Sequence, residues 1–328
     1  KIKSTYVDRF RDRQEDGRYY FYFKQNGTVS GRYGSDAQQL PKPLEEGEDA
    51  PVIMKYVNIV RAFLVAGKGR KVIDADYESL EPHCFASVSG DENLREIFRK
   101  GWDFYSTVAI KTEKLEGVSA DKKADNYLKK LDPVKRNKAK AYALKMTLDV
   151  DQKTAEELIK GYLDGFPQLA EWRKRSRQTV KDTGIIKNYL GRVRHLPRVK
   201  KIYDKFGERM MDWRFRKELE PQFGRDQVLK AYRDYRNGLN NCLNFQLQSL
   251  AAAVVNRAAL QINRKAKELG IDAIVQAQVH DQLIINVNEK DAEMFAPYVQ
   301  EIMETTTKLP GITLKAPPEI ADNWKEGH

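Results

Sequence analysis

Cysteine is scarce. Cys84 and Cys242 are the only two in 328 residues, too few for a disulfide framework or a zinc cluster. Long apolar runs are missing too, and no stretch is long enough to span a bilayer. The opening residues, KIKSTYVDRFRDRQEDGR, are charged throughout and do not read as a secretion signal. No internal repeat or low-complexity tract interrupts the chain. These absences argue against a disulfide-stapled secreted scaffold, a membrane-spanning protein and a repeat array. A reducing, cytoplasmic setting is expected.

What is abundant is positive charge. Lys and Arg number 58 against 47 Asp and Glu, a net charge of +11. A basic excess attracts polyanions, of which nucleic acid is the commonest. Charge alone does not decide the matter, because many basic proteins bind none. The length suffices for a large folded body with one or two cores.

The hydrophobic pattern changes period along the chain. Residues 18–35 alternate aromatic and polar groups, with Asn26-Gly27 as a hairpin turn signal. A polar loop with Pro41 and Pro43 follows. VRAFLVAG (60–67) and KVIDADY (71–77) read as two strands. From Asp91 to about Lys181 the spacing is helical, with an acidic cap at Asp91, a stop at Gly101 and helices over 151–166 and 167–184. IIKNYLGRVRHLP reads as a short hairpin, and 208–265 as helix. AIVQAQVHDQLIINV (273–287) reads as two strands meeting at His280-Asp281. A last helix precedes a final strand. The order sheet, helical block, sheet predicts an α+β fold with a helical subdomain inserted into it.

Two apolar strands carry isolated acids at their ends, Asp74 and Asp76 on one and Asp281 on the other. An Asp among β-branched neighbours is costly to bury without a cation or strong donors. Two such acids from distant positions can converge on a divalent ion, and oxygen-only ligands suit magnesium. By spacing alone, each reads more simply as a turn cap. Arg136 and Lys140 lie four apart on one predicted helical face. A triphosphate fits between two such cations. A solvated basic face is the plainer alternative.

Taken in order, these segments resemble the family A DNA polymerases, over essentially the whole chain. GTVSGRYGSDAQQLP (27–41) is similar to the segment that tracks the primer-template near the primer end. DADYESLEPHCFAS (74–87) is similar to the first catalytic motif, and RNKAKA (136–141) to the opening of the fingers-helix motif. NFQLQSLAAAVVNRA (244–258) is similar to the helix that reaches the minor groove, QVHDQLIINV (278–287) to the third motif, and DNWKEGH to the polymerase I ending. Any one match is weak; six in the right order are specific.

The resemblance implies a right-hand polymerase fold: an antiparallel palm sheet with an inserted helical fingers subdomain. Palm is expected over 1–90 and 239–328, with fingers over 91–238. It implies a template-directed DNA polymerase that uses two magnesium ions, primer-template DNA and deoxyribonucleoside triphosphates. A monomer is expected, with room for a processivity partner. Asp76 and Asp281 would be the metal-binding carboxylates, with the Tyr77 carbonyl an additional ligand. Glu81 would pack under the incoming sugar and exclude a 2′-hydroxyl. Arg136 and Lys140 would hold the triphosphate, and His280 would lie by the primer-terminal sugar. Arg32, Asn244 and Gln248 would contact the minor groove, where acceptors sit alike in every correct pair. The thumb and any exonuclease are largely absent from this sequence, so no proofreading and weak hold on duplex are expected. A phage or bacterial source fits, with the host cytoplasm as the setting for a phage.

The sequence departs from the family pattern in four places. After Ala141 the fingers helix should run on for roughly eleven more residues, about three turns, before the text that begins at Tyr142. Either the protein lacks that segment or the printed sequence omits it; omission is the reading expected here. Gln282 stands where the bacterial enzymes usually have Glu. Pro82-His83 follows Glu81 where Leu-Arg is usual. The segment 200–238 is long and highly charged, either a solvated helical face or an added contact to DNA or a partner. A single-subunit RNA polymerase and a non-catalytic duplex-binding protein remain open as rival readings.

Overall fold

A computed structural model of the chain describes residues 12–25, 27–35, 37, 40, 61–113, 115–128 and 163–327. Asn26, Pro41, Pro43, Arg136, Lys140, the interruption after Ala141 and nearly all of the helix expected over 151–166 lie outside the described residues.

Two short antiparallel ladders come first. β1 (Gln14–Glu15) pairs with β2 (Arg18–Tyr19), and β3 (Phe23–Lys24) with β4 (Gly34–Ser35). Of the strand expected over 60–67, the described residues 61–67 form none. Arg61–Phe63 is a 3-10 helix, closed by Leu64 N–H to Arg61 O at 3.2 Å. Val65 makes only an isolated bridge to Asn323. The turn carries Arg61 inward, 2% exposed and 4.4 Å over the Trp324 ring.

Regular structure then follows the predicted order. β5 (Arg70–Asp76) leads into α1 (Leu80–Ser89), α2 (Glu92–Arg99) and α3 (Phe104–Glu113). α4 (Pro167–Thr183) starts on Pro167, whose missing N–H costs nothing there, and stops at Gly184 in the left-handed region, φ 70°. β6 (Ile185–Lys187) and β7 (Val193–His195) form the expected hairpin. α5 (Pro197–Phe206), α6 (Trp213–Phe223) and the long α7 (Arg225–Leu269) follow. The helical stretch over 208–265 is therefore broken twice, where Asp212 caps α6 and where Gly224 takes φ 78°. β8 (Ala273–Val279), β9 (Gln282–Asn288), α8 (Glu289–Thr305) and β10 (Pro318–Ala321) complete the order.

The chain divides into two compact units. The sheet unit comprises Lys1–Leu80, Gln248–Lys308 and Leu314–His328. Its centre is an antiparallel sheet in the order β10-β5-β9-β8. β9 is buried from Gln282 to Val287, and Leu283, Ile284, Ile285 and Val287 are apolar because both faces are covered. α8 lies against β5, β9 and β10, burying Ala292, Phe295, Ala296, Val299 and Met303. On another side Val72, Ala277, Val279 and Ile284 cluster with Ala37, Leu40, Ala66 and Trp324. Each large apolar side chain buried here contributes about 1.5–3 kcal/mol. Arg70 ties β5 to the hairpin through Asp272 at 2.6 Å and Asn288 at 3.0 Å, and that contact lowers the pKa of Asp272.

The helical unit comprises Glu81–Leu247 and Leu309–Thr313. It has two main cores. One gathers Ala86, Leu94, Ile97, Val108, Phe166, Leu169 and Trp172; the other gathers Val180, Ile186, Val199, Met210, Tyr235, Leu239, Cys242 and Phe245. α4 serves both, because its buried positions Leu169, Trp172, Ser176 and Val180 recur at helical spacing. The charged segment 200–238 spends many of its cations internally. Lys200 pairs with Asp204, and Asp234 takes Arg198 from just before the segment, each at 2.7 Å. Lys205 lies over Phe223, Arg209 over Phe215 and Arg216 over Tyr232, at 3.9–4.3 Å.

Candidate active site

The pleat of β5 decides where its acids go. Side chains alternate between faces along a strand, so Val72, Asp74 and Asp76 share one face while Ile73 and Ala75 take the other. Val72 belongs to the cluster around Trp324, which identifies the acidic face. β5 pairs with β9 so that Asp76 stands opposite Gln282 and Ala75 opposite Leu283. β8 and β9 are joined by two residues, His280 and Asp281, with Val279 opposite Gln282. His280 takes φ 57°, a conformation that short hairpin loops demand and glycine usually supplies. A non-glycine residue there costs about 1–3 kcal/mol.

This register brings the two carboxylate-bearing residues together. Asp281 immediately precedes the residue paired with Asp76, and Tyr77 N–H donates to Asp281 O at 3.4 Å. Tyr77 is held from behind: its ring is buried and its hydroxyl donates to Met303 O at 2.7 Å. Asp76 and Asp281 are half-buried and His280 is exposed. Among the described residues, no three or more His, Cys, Asp or Glu gather as a ready metal cage. A cation held by this pair would therefore take its other ligands from backbone oxygen, water and substrate. That oxygen-only donor set fits a hard ion such as magnesium.

Three further residues belong to the site and had not been singled out for a role. Asp74, 2% exposed, receives Gln282 Nε2 at 2.7 Å on both carboxylate oxygens. Burial pushes its carboxyl up to about 7, opposed by the Gln282 hydrogen bonds, raised further by Asp76 and lowered by Arg61. Arg61 donates Nη2–H to Leu40 O at 3.3 Å, while its buried Nε and Nη1 make no hydrogen bond. Burial lowers its pKa, and attraction to Asp74 and Asp76 works the other way. The Asp-Ala-Asp spacing was a visible signal for Asp74, since two acids two apart on a strand share a face. Nothing local marked Arg61.

The remaining expected residues stand as follows. Arg32 is half-buried in the sheet unit, and its carbonyl accepts from Thr28 Oγ1 at 2.7 Å. Gln248 also belongs to the sheet unit. Glu81, in the first turn of α1, and Asn244, exposed on α7, belong to the helical unit. Arg136 and Lys140 lie outside the described residues.

Comparison with known proteins gives consistent results. The model of the family described as DNA polymerase family A matches residues 1–326. The thermostable DNA polymerase I of Thermus filiformis is 27% identical over 332 residues, covering 99% of this chain and 35% of that protein. DNA polymerase I of Pseudomonas aeruginosa is 25% identical over 332 residues, covering 100% of this chain and 32% of that protein. The chain thus spans about a third of the length of the curated relatives it matches. Among solved structures, the POL domain of Pol1 from M. smegmatis, in complex with DNA primer-template and dNTP, superposes with a TM-score of 0.75. Its identity is 22%, over 99% of this chain and 51% of that chain, so the likeness is one of fold.

Proposed function

This chain belongs to DNA polymerase family A, and from that premise we propose that it is a template-directed DNA polymerase, adding deoxyribonucleotides to a primer 3′ end by nucleotidyl transfer. The observation that carries the reading is the register of β5 on β9, which sets Asp76 beside Asp281 at the edge of an otherwise apolar sheet. Acids gathered against mutual repulsion point to a cation. The family is generally divalent-metal dependent. Two magnesium ions bound there would lower the pKa of the primer 3′-hydroxyl and offset charge on the triphosphate and leaving pyrophosphate.

In this reading the chain's own residues mainly position charge. Asp76 and Asp281 hold the cations, with the Tyr77 carbonyl as a further oxygen. The buried Tyr77 ring keeps that stretch of backbone from shifting. His280, fixed in its strained turn, lies by the primer-terminal sugar. Glu81 packs under the incoming sugar, and Arg136 with Lys140 holds the triphosphate. Arg32, Asn244 and Gln248 follow the minor groove without reading sequence. Palm over 1–90 and 239–328, with fingers over 91–238, is supported by compact units whose main boundaries fall at Leu80 and Leu247. Primer-template DNA and deoxyribonucleoside triphosphates are the partners of a monomer working inside the cell. Among the described residues no helix is long and apolar enough to cross a membrane.

Primer extension with magnesium tests the assignment. Asp281→Ala should lower incorporation by at least about a thousandfold, while duplex binding stays within about twofold because the side chain holds cations, not backbone phosphates. Extension close to wild type would remove Asp281 from the site.

A further inference from the structure

Asp74 is a buried carboxylate that the proposed reaction leaves without a task. It sits two residues before Asp76 on the same face of β5. Its partner, Gln282, follows Asp281 in the chain and faces Asp76 across the ladder. We propose that Asp74 and Gln282 are positioning residues for the Asp76–Asp281 pair: the clamp between their side chains fixes the start of β9, and with it Asp281, against the end of β5. The proposal rests on the metal-binding reading of that pair.

Four observations carry it. The backbone ladder between β5 and β9 ends at Asp76 and Gln282, and the next tie, Tyr77 N–H to Asp281 O, is long at 3.4 Å. The side-chain clamp is short by comparison, with Nε2 at 2.7 Å from both Asp74 oxygens. Both side chains are shielded from water, at 2% and 3% exposure. The tail closes over Asp74 as well: a Cβ at Gly327 would meet Asp74 Cβ at 2.7 Å, so only glycine fits there without displacement. An amide at residue 282 supplies the donor that Asp74 accepts, which a carboxylate there would lack.

Partners that orient the ligands of a metal typically matter 10–100-fold in its affinity. The test is Mn2+ binding to the full chain, read from the loss of the free-ion electron paramagnetic resonance signal. Circular dichroism and thermal unfolding serve as checks of folding. Asp281→Asn comes first: Mn2+ bound as tightly as by wild type would defeat the metal reading itself, whatever the clamp does. The double variant Asp74→Leu/Gln282→Met removes both polar partners together, so that neither is left buried without the other. It should bind Mn2+ about tenfold more weakly and need correspondingly more Mg2+ for primer extension, with the KM for nucleotide at saturating Mg2+ unchanged. Asp74→Asn keeps the shape and a hydrogen bond, and should stay within about threefold of wild type. A folded double variant with wild-type Mn2+ affinity overturns the proposal. So does an Asp74→Asn as weak as the double, because charge rather than position would then be the cause. If the double variant does not fold, Asp74→Ala against Asp74→Asn carries the same contrast, and equal affinities overturn the clamp.

Discussion

Asp74 in the sheet unit and Asp91 in the helical unit are both buried carboxylates, 2% and 0% exposed, yet their surroundings differ in kind. Asp91 accepts three backbone N–H groups: Leu94 at 3.2 Å, Gln168 at 3.0 Å and Leu169 at 3.1 Å. Those donors are the first turns of α2 and α4, at the positive ends of both helix dipoles. One carboxylate thus caps two helices and welds them together. Asp74 instead has one side-chain amide, a second acid on its own face and a buried guanidinium whose attraction only partly offsets its burial. A buried charge satisfied by helix ends holds a fold together. One left among other acids belongs to a site that something else completes.

The comparison can be broken most sharply by removing a carboxylate from each side. Asp281→Ala should abolish incorporation as described above, while its unfolding free energy stays within about 1 kcal/mol of wild type, because the half-buried side chain lies in a turn and fills no core. Asp91→Ala should do the reverse and cost on the order of 3 kcal/mol in urea unfolding, since it leaves the first turns of two helices uncapped. A loss below about 1 kcal/mol would show that the two helix ends find other partners. Gly238→Ala sharpens the helical side further. A Cβ there would run into Val199 Cγ2, so the variant should lose about 1–3 kcal/mol through overpacking of α7 on α5. An unchanged melting curve would mean that Val199 moves freely.

The smallest expected effect concerns the two cysteines, both buried in the helical unit. Burial pushes the Cys242 thiol up to about 11, so at pH 8 only about one molecule in a thousand carries the thiolate. A thiol-specific reagent at pH 8 should leave the native protein unlabelled over the time in which urea-unfolded chain reacts fully. Labelling of the native protein at the unfolded rate would show a helical core that opens readily, and the contrast between units would weaken.

Much of this molecule was legible locally. The run KVIDADY, the hairpin 273–287, the Asp91 cap and the helix from Pro167 to its stop at Gly184 stand out from residue spacing alone, and the structure forms each of them. The stretch 60–67 was not legible. Its apolar text suits a strand, but Arg61 is turned inward onto Trp324, 263 positions away in the chain, and the backbone coils to bring it there. Asp91 was legible as the cap of α2 but not of α4, whose first turn lies 77–78 residues further on. The acids Asp76 and Asp281 stood out only through the order of motifs around them, since spacing alone favoured turn caps.

What the sequence determined by itself is therefore periodic and local: strand against helix, and where each starts and stops. Those follow from side-chain spacing and backbone preference within a few residues. What only the tertiary structure decided is the meeting of remote groups. Asp74 and Gln282 are 208 positions apart, and whether they touch depends on the register of β5 against β9. A slip of one residue would turn every side chain of β9 to the opposite face. That register is set by which faces the whole sheet buries, against α8 and around Trp324, and no short stretch of sequence contains that information.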